Sequence, residues 1–319
     1  MDIQLPYDPL AHAIYNNQYD ATVLILQHTT RLCPIRRTDY YGWRHTTHLL
    51  LYISMEGNDS HIIDSLMQLG SDMEEDGYLF NTSPCDTATP LEFAIKNGNI
   101  EAVRTMILYP RNKAIEQYIY TAITAKQSDI AILLMNMCCI TDINTRVRYN
   151  ETLLYAAVTT KQTDITMKLL TYPDIDVNMT YGRNYTILHH MISIGDNTLI
   201  RTLLQNHIVD TRAINSNKRS PLHMAIIKGN SDMLKLMLEY DPIGARLLIN
   251  KTCYNKKCMV SCVHLAASKS STILLDTLLP YGPNLNLASY NNGPTPLQMA
   301  TNTNKSKVVQ WLKDHGAIR

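Results

Sequence analysis

One phrase recurs along this chain and limits what it can fold into. Thr89-Pro90-Leu91-Glu92-Phe93-Ala94, Ser220-Pro221-Leu222-His223-Met224-Ala225 and Thr295-Pro296-Leu297-Gln298-Met299-Ala300 share an opening. Thr186-Ile187-Leu188-His189 and Ser261-Cys262-Val263-His264-Leu265-Ala266-Ala267 are weaker copies. A phrase that returns at a steady spacing implies one supersecondary unit used many times, each copy too small to bury its own apolar face.

The copy beginning at Ser220 shows what the unit is. Pro221 suits a first helical turn, where its missing N–H is not needed, and Ser220 before it can cap the free donors. Leu222, Ala225 and Ile226 then share one helical face. Gly229 permits a tight break, after which Met233, Leu234, Met237 and Leu238 form a second apolar stripe of helical period. Two short helices result, with Leu222, Ala225, Leu234 and Leu238 expected to be buried between neighbouring copies.

Alignment on the threonine position places repeat starts at Asp8, Thr47, Thr89, Gln117, Thr152, Thr186, Ser220, Ser261 and Thr295. Successive steps are 39, 42, 28, 35, 34, 34, 41 and 34 residues. Leu169-Leu170, Leu203-Leu204 and Leu278-Leu279 fill a leucine pair in the second helix, and Gly70, Gly282 and Gly316 follow second helices as C-caps do. In the fourth copy, Gln117-Tyr118-Ile119-Tyr120 has neither the proline nor the histidine. The chain resembles the ankyrin-repeat family, whose unit of about 33 residues opens T-P-L-H-x-A. The resemblance implies an all-α ankyrin-repeat solenoid of about nine helix-turn-helix repeats with finger loops, one domain over residues 1–319. It also gives His189, His223 and His264 a structural hydrogen-bonding role between turns.

Composition agrees. Apolar residues make up 45% of 319, ample for a continuous core, and a net charge of +1 gives no global pull toward nucleic acid or a membrane. No apolar run reaches the roughly 18 residues of a membrane span. Seven cysteines, an odd number, fit free thiols in a reducing compartment, and Cys138-Cys139 beside an apolar helix reads as a pair of small hydrophobes. The expected location is therefore cytoplasmic, with the nucleus possible.

Enzymatic motifs are missing: there is no G-x-x-x-x-G-K-[ST], G-x-S-x-G or H-E-x-x-H. The chain therefore reads as a non-enzyme without cofactor. Cys253, Cys258, Cys262 and His264 form the one set with zinc-ligand chemistry. Their C-x4-C-x3-C-x-H spacing departs from paired C-x2-4-C ligands, and His264 already belongs to a repeat, so no metal is expected.

Three stretches exceed what stacking needs: Arg31 to Arg44, Ser71 to Ala88 and Asp241 to Val260. Each precedes a repeat start, where this family carries its fingers beside the concave face. The first two combine Trp, Tyr, Phe and Arg, the types enriched at interface hot spots. Tyr40, Trp43, Arg44, Tyr78 and Phe80 are the expected recognition patch, with Lys256 and Lys257 at a secondary one. The bland alternative is that these rings pack beneath their own loops and the charges are solvated.

Irregular repeat lengths, the enlarged turn at Glu56 to Ser60 and Ile-, Asn- and Tyr-rich helices resemble poxvirus ankyrin proteins. That resemblance implies a host-range or immune-evasion adaptor. Such an adaptor binds a host protein of NF-kappa-B or cell-death signalling, either blocking it or presenting it to a ubiquitin ligase. Many members carry a C-terminal F-box-like segment that recruits the ligase. No residue follows Arg319, so the expectation is an ankyrin-only member or a truncated chain. A bacterial-type effector, with catalytic activity not visible in the sequence, stays open as the alternative.

Overall fold

A computed structural model describes residues 87–109, 114–206, 208–255, 258–289 and 293–318, with short pieces at 20–21, 24–25, 63–64, 67 and 77–78. The expected first two repeats lie almost wholly outside the described residues. The chain divides into two units, Met1–Ala156 and Ala157–Arg319.

In the first unit, α1 (Pro90–Lys96) is followed by α2 (Ile100–Met106), and α3 (Ile115–Thr124) by α4 (Ser128–Met137). Each helix packs on its partner, α1 also on α3, and α2 on α4. First helices thus meet first helices and second meet second, which is how an amphipathic hairpin buries both stripes. Leu91, Ile95, Val103, Met106, Ile119 and Leu134 form the shared core. A two-residue ladder, β1 (Gly77–Tyr78) with β2 (Thr87–Ala88), leads into α1. Helix α5 (Leu153–Thr159) carries the chain across the division.

The second unit repeats the plan. After α6 (Thr163–Leu169) come α7 (Ile187–Ile194) with α8 (Asn197–Asn206), and α9 (Pro221–Lys228) with α10 (Ser231–Tyr240). Then follow α12 (Cys262–Ala267) with α13 (Ile273–Leu278), and α14 (Pro296–Asn302) with α15 (Ser306–Asp314). Helices α7, α9, α12 and α14 form one layer, and α6, α8, α10 and α13 the other. Leu222, Ala225, Leu234 and Leu238 are buried as their phase requires. Hairpins β3 (Thr180–Tyr181) with β4 (Tyr185–Thr186), and β5 (Cys253–Asn255) with β6 (Cys258–Val260), precede α7 and α12. The all-α repeat architecture is therefore present, with strands confined to these finger ladders among the described residues.

The break between the two helices has a fixed geometry. Nine residues after the repeat start the backbone turns left-handed, at Gly98, Lys126, Lys161, Gly195, Gly229 and Asn304. Glycine adopts this conformation without steric cost, whereas a lysine there is strained by about 1–2 kcal/mol. The second helices end similarly, with Gly282 and Gly316 at φ of 71° and 86°.

Several details differ from the sequence reading. Helix α3 begins at Ile115, two residues ahead of Gln117, so the fourth repeat has no side-chain cap at its aligned start. Of the Leu278-Leu279 pair only Leu278 is buried, because a 3-10 turn, Leu279–Tyr281, rotates Leu279 outward. Cys139 is exposed and Cys138 half-buried, since α4 ends at Met137 and both thiols fall past its apolar stripe. The connection Asp241 to Val260 is not a simple finger: it begins with an added helix, α11 (Pro242–Leu248), capped by the Asp241 side chain.

Candidate functional site

The side chains with the most obvious chemistry serve the fold. In α7, α9 and α12 the histidine three residues after the cap closes a capping box, in the place where Glu or Gln normally stands. The Thr186, Ser220 and Ser261 backbone N–H groups donate to Nδ1 of His189, His223 and His264 at 3.2, 3.3 and 3.3 Å. An N–H aimed at Nδ1 requires that nitrogen to be unprotonated, so Nε2 carries the hydrogen. Each Nε2 then donates at 3.1 Å to a carbonyl one repeat onward, Arg219, Lys251 and Pro294 respectively. Burial is the main reason that His189 and His223 are pushed down to about 4, and it lowers His264 as well. These rings stay neutral at physiological pH with both nitrogens engaged, so they hold repeats together.

The same slot holds other residues elsewhere. In the third repeat it is Glu92, 3% exposed and paired with Arg148 Nη2 at 2.8 Å. Counting from the left-handed turn makes it Tyr120 in the fourth, whose hydroxyl donates to Glu151 Oε2 at 2.8 Å. In the ninth, Gln298 closes the box on Thr295. Glu116, in the first turn of α3, accepts from Thr141 N and Oγ1 at 2.7 and 2.8 Å. Burial acts to raise its carboxyl, but these hydrogen bonds and those from neighbouring backbone hold it below the usual value.

Among the described residues no group of three or more Cys, His, Asp or Glu is placed to hold a metal ion. Cys253 and Cys262 are buried, and burial pushes the Cys253 thiol up to about 11 and raises Cys262 further. Cys258 lies in β6 opposite Asn255, with a side chain outside the described residues. His264 has no free nitrogen to offer a metal.

Several exposed side chains stand on the fingers. Val147 N donates to Glu151 O at 2.8 Å and Glu151 N to Arg148 O at 3.0 Å, closing a hairpin turn. Its two central residues, Tyr149 and Asn150, have φ of 54° and 63°. The Tyr149 ring is 90% exposed. In the second unit, Arg183 lies in the β3–β4 turn, and Lys218, at φ of 54°, lies in a loop closed by Asn215 N donating to Arg219 O at 3.0 Å. Ser216 N donates to Arg183 O at 3.0 Å, and Tyr254 N to Asn217 O at 2.9 Å, so three successive fingers are joined edge to edge. Arg219 Nε adds a bond to Tyr254 O at 2.9 Å, and Lys218 Nζ lies 5.5 Å above the Tyr254 ring.

Of the expected recognition patch, Tyr40, Trp43, Arg44 and Phe80 lie outside the described residues, as do Lys256 and Lys257. Tyr78 is in β1, with its side chain outside them. The fingertip residues Tyr149, Arg183, Lys218 and Tyr254 escaped the sequence reading, which followed long insertions. Tyr149, Arg183 and Lys218 stand two or three residues before a repeat start, and that shared offset was the available signal. Among the described residues no helix is long and apolar enough to cross a membrane.

Comparison with known proteins agrees with this geometry. Residues 153–247 match the family model for ankyrin repeats in three copies. A homolog of transient receptor potential cation channel subfamily A member 1 from Caenorhabditis elegans is 30% identical over 141 residues, 44% of this chain and 11% of that protein. A putative ankyrin repeat protein of fowlpox virus (strain NVSL) is 28% identical over 130 residues, 41% of this chain and 29% of that protein. The matched part is thus under a third of either relative's length. A crystal structure of an ankyrin repeat domain from Acinetobacter baumannii AYE superposes with a TM-score of 0.53 at 18% identity. It covers 63% of this chain and 98% of its own.

Proposed function

Proceeding from a chain that carries ankyrin repeats, we propose that it is a non-enzymatic adaptor that binds another protein along its fingers and first helices. Repeats of this kind are protein–protein interaction modules, and the adaptor reading is supported by how the side chains divide. Those with acid–base character, His189, His223, His264, Glu92 and Glu116, are buried in bonds between repeats. One observation carries the proposal furthest. Tyr149 is held in a left-handed conformation, costing about 1–2 kcal/mol, yet its ring lies in solvent where it returns nothing to the fold. Exposed, strained aromatics beside arginines are the material of interface anchors.

A finer reading rests on the resemblance to poxvirus ankyrin proteins, with which a fowlpox ankyrin repeat relative agrees: a viral protein that captures a host signalling protein, of the NF-kappa-B or cell-death pathway, to block it or hand it to a ubiquitin ligase. Tyr40, Trp43, Arg44, Tyr78 and Phe80 remain the proposed main patch, with Lys256 and Lys257 secondary, on an array of nine repeats over residues 1–319. The test is affinity capture from host-cell lysate read by mass spectrometry, comparing the parent with Trp43→Ala and Tyr149→Gly. A protein retained by the parent and lost from a variant that melts no lower supports the reading. An identical set from all three, or a purified chain that turns over a substrate, overturns it.

A further inference from the structure

The fingers of the second unit carry charge of one sign. Segments 180–186, 213–219 and 251–255 contain Arg183, Lys218, Arg219 and Lys251, and no Asp or Glu. In a chain with 29 basic and 28 acidic residues, these segments carry only positive charge. From these observations we propose that this finger edge docks an acidic polypeptide segment, which deepens the protein-binding reading and rests on it.

The geometry makes the charges act together. The bonds from Ser216 to Arg183 and from Tyr254 to Asn217 place the three fingers side by side, so their cations are carried on one connected set of fingers. Arg183, Lys218 and Lys251 are exposed, and no ion pair among the described residues engages them. The acids on the same connections stand outside these segments, with Asp176 and Asp210 exposed and engaged in local bonds. Asp176 and Asp210 accept from Asn178 N and Arg212 N at 2.8 Å each, and Asp241 holds Arg212. Lys218 rests over the Tyr254 ring, an arrangement that leaves its charge intact and sets a 41% exposed aromatic face beside it. Arg219 is turned to the Tyr254 carbonyl and adds a bond between two of the fingers.

Such a set of cations attracts carboxylates and rejects cationic partners. It suits a polypeptide better than a nucleic acid. Binding to a phosphate backbone draws its strength from many neutralised phosphates, typically about six to ten, and this set has fewer cations on a nearly neutral chain.

The experiment uses the full chain and a fluorescein-labelled dodecaglutamate peptide, with a dodecaglutamine peptide and a thymidine oligonucleotide of matching length as competitors. Glutamate binding should weaken as salt rises from about 50 to about 200 mM and should exceed glutamine binding. The double reversal Arg183→Glu, Lys218→Glu should weaken it at least about tenfold without lowering the melting temperature. Lys307→Glu, an exposed change on α15, should leave it unaltered. Glutamate binding no tighter than glutamine, indifference to the double reversal, or tighter binding of the oligonucleotide would each overturn the proposal. If those failures occur while captured proteins are still lost on Tyr149→Gly, the adaptor reading stands and the acidic docking surface alone falls.

Discussion

His223 Nε2 donates to the Lys251 carbonyl 3.1 Å away, joining residues 28 positions apart, while Nδ1 of the same ring accepts the Ser220 N–H. One uncharged imidazole therefore closes the helix cap of its own repeat and grips the next. Protonation would put a hydrogen on Nδ1, facing an N–H, and would charge a buried ring.

This geometry predicts acid sensitivity above the carboxylate range. The folded pKa of His189 and His223 is about 4 against an ordinary value of 6.5, so the unfolded chain binds protons more readily between those values. The stabilisation is complete above pH 6.5 and is lost as pH falls toward 4. At pH 5 each ring should have lost about 2 kcal/mol, with His264 acting in the same direction. Urea denaturation at pH 7.5 and pH 5 measures this, and equal midpoints at the two pH values would contradict it.

Replacing the ring separates its two bonds. Gln298 shows that glutamine can close the box, so His223→Gln should keep the cap and lose the Lys251 contact, costing about 1 kcal/mol. It should also remove that residue's share of the pH dependence. His223→Leu strands both the Ser220 N–H and the Lys251 carbonyl and should cost about 2–4 kcal/mol. Matching melting curves for the two variants would show that the box contributes nothing.

How much of this was legible in sequence follows from which residues the repeat requires. Thr89, Ser220 and Thr295 followed by proline announce caps that the structure forms, and the spacing of Leu222, Ala225, Leu234 and Leu238 fixes the buried face. Where another residue fills the histidine slot the signal fades. Tyr120 reaches sideways to Glu151 and Glu92 to Arg148, and those partners lie 31 and 56 positions away. The added helix α11 was hidden because Pro242, Gly244 and Arg246 read as loop until Asp241 is seen capping them. Fingertips were least legible. A tyrosine in a turn looks the same whether its ring folds under or points out, and only the 90% exposure of Tyr149 in the folded chain settles that.

Strain at the inter-helix turn should be removable. Lys126 and Lys161 occupy the left-handed position that Gly98, Gly195 and Gly229 fill elsewhere. Glycine there relieves the steric penalty but gives back part of it through unfolded-chain entropy, leaving a net gain of about 0.5–1 kcal/mol per site. Lys126→Gly and Lys161→Gly should each raise the melting temperature by about 1–4 °C. Asn304→Gly should change little, because asparagine tolerates the conformation. A lowered melting temperature for either lysine variant would rule out strain at these turns.

The cap of the added helix leads to a sharper test. Asp241 Oδ1 accepts from Gly244 N at 2.8 Å, while Oδ2 accepts from Thr211 Oγ1 at 2.8 Å and Arg212 Nε at 3.2 Å. Burial acts to raise this carboxyl, but Arg212, the Gly244 N–H and Thr211 hold it below the usual value. A Cβ on Gly244 would collide with the Asp241 carboxylate and lie 2.7 Å from Arg212 Nε, and the carboxylate cannot retreat without releasing its partners. Gly244→Ala should therefore cost about 1–3 kcal/mol, although alanine is ordinarily better than glycine in a helix by about 1 kcal/mol. With Asp241→Ala already in place the collision is gone, and the same Gly244→Ala change should become neutral or stabilising. The double-mutant cycle, read by denaturant midpoints, should show a coupling of at least about 1 kcal/mol. Additive effects would mean that the glycine is not required by this cap.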